Sequence, residues 1–268
     1  MCKKSLFLGF IVASLFFSSV LYAAPPSIFQ GTETLENKDM ASLALEVGYE
    51  YNEMEAAQGE TAEQSDELPL RLRAQISPLL ELRAGAIPKF DRSRDTQSTF
   101  VEGAVLLNAL PPTPITPGFG LLMRTLAPLG DDSEVYAADI DIRGIMTMSL
   151  IDLLTIDLNL GYWFGVGGTS FCETSVNGTF CDSPSQHFLP VMTAAHISLF
   201  DLLSLYVESE NYFNLDKGLD DVYSKANLGG EIGLGESVSL QIGMGFGVSD
   251  TAEAITIQTG LTWHFFKF

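Results

Sequence analysis

Twelve runs of alternating apolar and polar residues follow one another from residue 41 to residue 266, and within each run every charge falls on a single parity. The runs lie at roughly 41–51, 68–77, 80–87, 99–107, 118–126, 136–148, 153–164, 188–199, 202–212, 222–233, 238–248 and 254–266. Successive side chains of a β-strand point to opposite faces, so parity reports the face. Glu46 and Glu50 share a parity, as do Arg71 and Arg73, Glu81 and Arg83, and Asp139, Asp141 and Arg143. Glu208 pairs in this way with Glu210, and Lys225 with Glu231, while Glu102, Arg124 and Asp157 are the single charges of their runs. The opposite face is apolar along its length: Leu43, Leu45, Val47, Tyr49 and Tyr51 in the first run, and Leu154, Ile156, Leu158, Leu160, Tyr162 and Phe164 in the seventh.

A water-soluble sandwich also alternates, but it seldom sustains so many strands of about ten residues with aromatic ends. Tyr49 and Tyr51, Tyr162 and Phe164, Tyr212 and Phe213, and Phe265 and Phe266 occupy run ends, as ring side chains do at the two interfaces of a membrane barrel. Strands of about ten residues suit a tilted bilayer crossing. Unpaired backbone groups are not tolerated in lipid, so such strands persist only as a closed barrel. The expectation is an all-β, antiparallel transmembrane barrel of about twelve strands over residues 40–268. Connection lengths agree, because short turns at 77–79, 149–152, 200–201 and 234–237, with a Pro-rich one at 108–117, alternate with the connections of the other end. The turn Ser-Leu-Ile-Asp-Leu-Leu-Thr at 149–155 is echoed at 198–204 as Ser-Leu-Phe-Asp-Leu-Leu-Ser, one hairpin used twice.

Lys3 and Lys4, the uncharged run to Ala24 and the small residues Ala23 and Ala24 form a secretory signal, with cleavage expected after Ala23. The alternative is an uncleaved anchor, since the run is long enough to span. Loss of Lys3 and Lys4 takes the formal charge from −20 to −22, which excludes non-specific nucleic-acid binding, a function that needs clustered cations. Residues 24–39 are left as a periplasmic N-terminal segment, and the bacterial outer membrane is the expected location. Cys172 and Cys181 lie close together in a Gly-rich stretch of an exported chain, and a disulfide closing one loop is expected there. Two cysteines without a finger-spaced histidine do not make a zinc site.

The chain ends in Gly260-Leu261-Thr262-Trp263-His264-Phe265-Phe266-Lys267-Phe268, which resembles the terminal strand that recruits the barrel-assembly machinery, with Trp263, Phe266 and Phe268 as the signal. Phe268 does not share the parity of Ile257, Leu261 and Trp263, so a kink or bulge is expected near the end. Leu70-Arg71-Leu72-Arg73 with Leu80-Glu81-Leu82-Arg83-Ala84-Gly85, the stretch from Asp201 to Glu208, and Leu240 to Gly247 with Gly260 to Trp263 are similar to the transporter-like barrels grouped as MetA-pathway of phenol degradation proteins. That resemblance implies an outer-membrane barrel passing small hydrophobic or aromatic solutes, and it brings no catalytic residues.

On the polar face, Arg71, Arg73, Glu81, Arg83, Arg124, Asp139, Asp141, Arg143, Asp157, Glu208, Glu210, Lys225 and Glu231 are the candidate lumen-lining residues. They either set the selectivity of a passage or fill it with ion pairs, and the two readings stay open. A channel is one function hypothesis; a structural or surface-interaction barrel with a plugged lumen is the other. Outer-membrane lipid and lipopolysaccharide, the assembly machinery and a small solute are the expected partners of a monomer. The acidic loop 52–67 carries no base and no EF-hand spacing, and it reads as solvated rather than as a divalent-cation site. Gly243, Gly245 and Gly247 alternate along a strand with no helix after them, so no dinucleotide site and no cofactor are expected. His187, His196 and His264, with Ser198 two positions from His196, are the residues an enzyme would use, but no Gly-x-Ser-x-Gly elbow accompanies them and catalysis is not expected.

Overall fold

A computed structural model describes Leu35 and residues 41–54, 62, 64–92, 96–129, 138–151, 153–166, 172–175, 178–181, 187–199, 202–216, 222–235, 237–249 and 252–267. The strands are β1 (Ser42–Glu53), β2 (Gln64–Glu67), β3 (Leu70–Ser77), β4 (Leu80–Asp91), β5 (Thr96–Leu110), β6 (Gly118–Leu129), β7 (Ala138–Ile151), β8 (Leu154–Val166), β9 (Cys172–Ser175), β10 (Gly178–Cys181), β11 (His187–Leu199), β12 (Leu203–Asn214), β13 (Val222–Gly233), β14 (Val238–Gly247) and β15 (Ile255–Lys267). Neighbours in sequence pair antiparallel around the sheet, and β15 returns to β1 with Glu53 opposite Ile255 and Ser42 opposite Lys267. With β2 and β3 sharing one position between β1 and β4, this is a closed twelve-stranded barrel. A strand of 12 residues rising about 3.3 Å per residue and tilted by about 40° climbs roughly 30 Å, enough for an apolar band.

The barrel is inverted relative to a soluble domain. Leu72, Leu107, Leu121, Leu160, Val207, Leu228, Ile242 and Trp263 are exposed, whereas Glu46, Arg73, Glu81, Arg143, Asp157 and Glu208 are buried. This arrangement suits a chain whose surroundings are apolar and whose interior is polar.

Several features differ from, or refine, the sequence reading. The second strand begins earlier, at Gln64, and is broken at Leu68-Pro69, where proline offers no ladder donor. Gly48 N–H donates to the Pro69 carbonyl at 2.8 Å and Leu68 N–H to the Pro88 carbonyl at 2.9 Å, so the neighbouring strands bridge the break. The loop expected at 87–98 is mostly strand, as β4 and β5 stay paired from Leu80–Leu107 to Asp91–Thr96. The bulge expected near the C-terminus is present: Leu43 faces Phe266 and Ala44 faces His264, leaving Phe265 as the extra residue. Trp263 and Phe266 therefore both point outward, although their parities differ. Residues 1–34 and 36–40, which carry the expected signal and most of the N-terminal segment, lie outside the described residues, as does Phe268.

Candidate functional site

One wall of the lumen, from β1 through β5, carries a continuous line of ion pairs. Arg73 places Nη1 2.8 Å from Glu46 Oε1 and Nη2 3.0 Å from Glu81 Oε2. Arg71 grips Glu102 from Nη2 at 2.8 Å and approaches Glu46 at 3.5 Å. Arg83 Nε closes the line on Glu81 at 2.7 Å. Register explains the geometry: Glu46 directly opposite Arg71 and Glu81 diagonal to Arg73 are same-face neighbours within side-chain reach, and Gly85, between Arg71 and Glu102, leaves room for the Arg71 side chain to pass over β4. Guanidinium forks suit it as well, each serving two carboxylates. Removing one member of such a buried pair strands the others and costs about 3–5 kcal/mol.

The line continues on β6 to β8 and β11. Asp141 is held by Arg124 at 2.8 Å and by Arg143 at 2.5 Å. Asp157, 0% exposed, receives Thr147 Oγ1 at 2.5 Å and faces His196 Nε2 at 3.1 Å. Asp139, two residues nearer the β6–β7 loop end, makes no hydrogen bond or ion pair among the described residues.

The opposite wall is more acidic and less tied. Glu208, Glu210 and Glu231 face inward from β12 and β13, where Lys225 is the base, directly opposite Glu210. Asn227 donates its amide to Glu208 Oε2 at 3.0 Å and also to Glu210, and its Oδ1 has no hydrogen-bond partner. Gln241 donates to Glu231 at 2.8 Å. Tyr206 lies flat across this wall, its hydroxyl 2.5 Å from where a side-chain carbon on Gly229 or Gly243 would stand. The glycines therefore make the floor on which the ring rests.

Leu35 is inside the barrel. It is 2% exposed and packs with Ala104, Leu106, Leu122 and Ile145, inward residues of β5, β6 and β7. Its N–H donates to Thr147 Oγ1 at 2.9 Å, which links it through that hydroxyl to Asp157.

At the other end, a row of rings faces inward. Trp163 meets Phe188 with centroids 4.7 Å apart and Tyr212 at 6.5 Å, edge-on; Tyr212 meets Tyr223 at 5.6 Å. Tyr223 donates its hydroxyl to Glu253, whose Oε2 is 4.0 Å from Lys225 Nζ. Tyr212 was expected in the lipid-facing girdle; it instead shares the inward face of Glu208 and Glu210, and Phe213 beside it faces out. Tyr162 does face outward.

On the rim, the acidic loop acquires bases from the neighbouring β4 hairpin. Asp66 accepts from Arg92 and from Tyr49 Oη at 2.6 Å, and Lys89 is 2.9 Å from Glu67. The Arg92 hydrogen bonds hold the Asp66 carboxyl below the usual carboxylate range. Glu55, Glu60 and Glu63 lie outside the described residues. Among the described residues no group of three His, Cys, Asp or Glu side chains is placed to hold a metal ion. His187 Nδ1 is 2.6 Å from Tyr162 Oη on this rim. Cys172 and Cys181 stand directly opposite each other in the β9–β10 ribbon.

The chain is similar in fold to an outer membrane channel from Pseudomonas putida F1, at 10% identity and a TM-score of 0.60, over 91% of this chain and 100% of that one. It is similar also to the KdgM porin in complex with disordered oligogalacturonate, at 9% identity and a TM-score of 0.55, over 83% of this chain and 99% of that one. The translocator domain of the autotransporter NalP from Neisseria meningitidis is a third, at 12% identity and a TM-score of 0.52, over 98% and 95%. No protein-family model matches the sequence, and no curated protein matches it. At these identities the likeness is one of fold, and the fold is that of outer-membrane barrels.

Leu35 and its seat were not among the sequence candidates, nor were Tyr206 and the inward Trp163. Leu106, Leu122 and Ile145 share the parity of Glu102, Arg124 and Arg143, so their inward placement was readable as an apolar interruption of the polar face.

Proposed function

We propose that this chain is a solute-conducting barrel of a bacterial outer membrane that passes cations in preference to anions and rests partly closed. The observation that carries the reading is a closed barrel whose ionisable residues face in and pair with one another along its walls. On the β1–β8 side, five guanidiniums stand against the seven carboxylates of Glu46, Glu50, Glu81, Glu102, Asp139, Asp141 and Asp157. On β12 and β13, Lys225 stands against Glu208, Glu210 and Glu231, so the surplus is negative. A narrow path lined by surplus carboxylates favours cations. The resemblance to the phenol-degradation barrels adds small hydrophobic or aromatic solutes to this reading, and a monomer in contact with lipid and lipopolysaccharide is its working form.

Purified from membranes and placed in a planar bilayer under a KCl gradient, the protein should give discrete current steps reversing toward the K⁺ potential. The double variant Arg71→Ala/Arg73→Ala, which strands Glu46, Glu81 and Glu102, should move the reversal potential further the same way. Unchanged reversal would remove the charge-selection claim. A heat-modifiable barrel without current would favour the second reading, a plugged structural barrel, which the seated Leu35 supports.

The external ribbon completes the proposal, with Cys172 and Cys181 joined as a disulfide across β9 and β10. Directly opposed residues in an antiparallel ribbon are close enough for one. Maleimide should label the denatured chain only after reduction; labelling without reductant would mean free thiols.

A further inference from the structure

We propose that the β6–β7/β12–β13 loop end of the lumen binds an organic cation of the alkylammonium class on Trp163, Tyr212 and Tyr223, between the carboxylates of Asp139, Glu210 and Glu253. This rests on the reading above only in taking the lumen to be open to solutes at that end.

The rings form one contiguous row across β8, β12 and β13, with Tyr212 directly opposite Tyr223 and Trp163 edge-on to Tyr212. In a lipid-embedded barrel such rings are usual on the outer face, where the interface rewards them. Here they line the polar interior and are only half-buried. Aromatic faces attract cations through their quadrupole, most strongly where the cation is weakly hydrated.

Charge at the same level selects the sign. Asp139 lies diagonally across the β7–β8 ladder from Trp163, whose direct partner is Asp141, and among the described residues Asp139 makes no hydrogen bond or ion pair, Arg124 being the base it faces at longer range. Glu210 neighbours Tyr212 on the inward face of β12, and Glu253 takes the Tyr223 hydroxyl. The bases nearby are already engaged: Lys225 is set between Glu210 and Glu253, and Arg124 and Arg143 both hold Asp141. Below the rings, Asn227 is 2% exposed and its amide serves Glu208 and Glu210, holding Glu210 at the inner edge of the row. An anion would meet these carboxylates and bases already paired with carboxylates, and a neutral ring would use the aromatics while leaving the carboxylates unanswered. A hydrated metal ion would use the acids but not the rings.

The chain has two tryptophans, Trp163 and Trp263, so Trp263→Phe leaves Trp163 as the sole reporter. Choline chloride, titrated against sodium chloride at equal ionic strength, should quench it saturably. Tyr212→Leu and Asp139→Asn should each weaken the apparent affinity about tenfold, the scale of one desolvated cation–π or charge contact. Calorimetric titration of the unsubstituted protein with choline gives the same readout should Trp263→Phe not assemble. Absence of saturation by both methods overturns the proposal, and so does equal affinity for phenol. A Tyr212→Leu barrel with normal heat-dependent mobility and unchanged choline affinity overturns it too. Choline binding without any ion current would sink conduction and leave this site standing, whereas current without choline binding would do the reverse.

Discussion

Replacing Gly161 with valine is expected to abolish the heat-modifiable barrel. Gly161 faces inward on β8 directly opposite Arg143 of β7, and a carbon added there would press on the Ile142 carbonyl while standing 2.7 Å from Arg143 Cγ and 3.0 Å from its Cα. Two of these three neighbours are backbone, so relief requires the β7–β8 ladder to open. On its other side β8 has little to compensate with, because its ladder to β11 passes from Phe188–Trp163 to Val191–Leu160 and skips Leu189 and Pro190. Proline there has no N–H to give. Overpacking alone costs about 1–3 kcal/mol, and loss of both seams at one level costs closure itself. Gly103→Ala is the control, since its added carbon would meet only Thr125 Oγ1 at an ordinary 3.5 Å. Unheated gel samples should show the fast-migrating folded band for Gly103→Ala and none for Gly161→Val; a normal band for the valine variant would mean that β7 and β8 are not spaced as described.

Leu35→Asp should raise single-channel conductance several-fold. The seat formed by Ala104, Leu106, Leu122 and Ile145 offers no counter-charge, and Leu122 is 0% exposed beneath it. An unpaired carboxylate in such surroundings costs several kcal/mol by ordinary transfer estimates, roughly enough to empty the seat. Thr147→Val, which removes the acceptor of the Leu35 N–H but leaves the apolar contacts, should act in the same direction and less strongly. Conductance equal to that of the unsubstituted protein in both variants would mean that Leu35 does not obstruct the path.

The inside and outside of this barrel were legible because parity is a local property. Arg71 and Arg73, or Asp139 and Asp141, declare their common face without knowledge of any partner strand. The C-terminal bulge was legible for the same reason, as the parity of Phe268 clashed with that of Trp263. What the sequence did not yield was everything that depends on register. The pairing of Arg73 with both Glu46 and Glu81 needs β1 and β4 to flank β3 at one particular stagger. The Leu35 seat joins residues from three strands to one outside the alternating runs, and no spacing announces it. Tyr212 is the instructive intermediate. Its parity with Glu208 and Glu210 already placed it inward, but its position at a strand end next to Phe213 read as a girdle, and position was weighed above parity.

Tyr206 resting on Gly229 and Gly243 gives the two halves of the cylinder different mechanical characters. Across β1 to β5 the arginine–carboxylate line ties β3 to β1, to β4 and, over β4, to β5 from within, so that half resists radial deformation as a braced plate would. Across β13 and β14 the inner face has no guanidinium, and at Gly229 and Gly243 it is backbone covered by one ring, with the Gln241–Glu231 hydrogen bond as a side-chain link between the two strands. Any widening of the bore should therefore be one-sided, with the phenol ring lifting from its glycine bed while the braced half keeps its curvature.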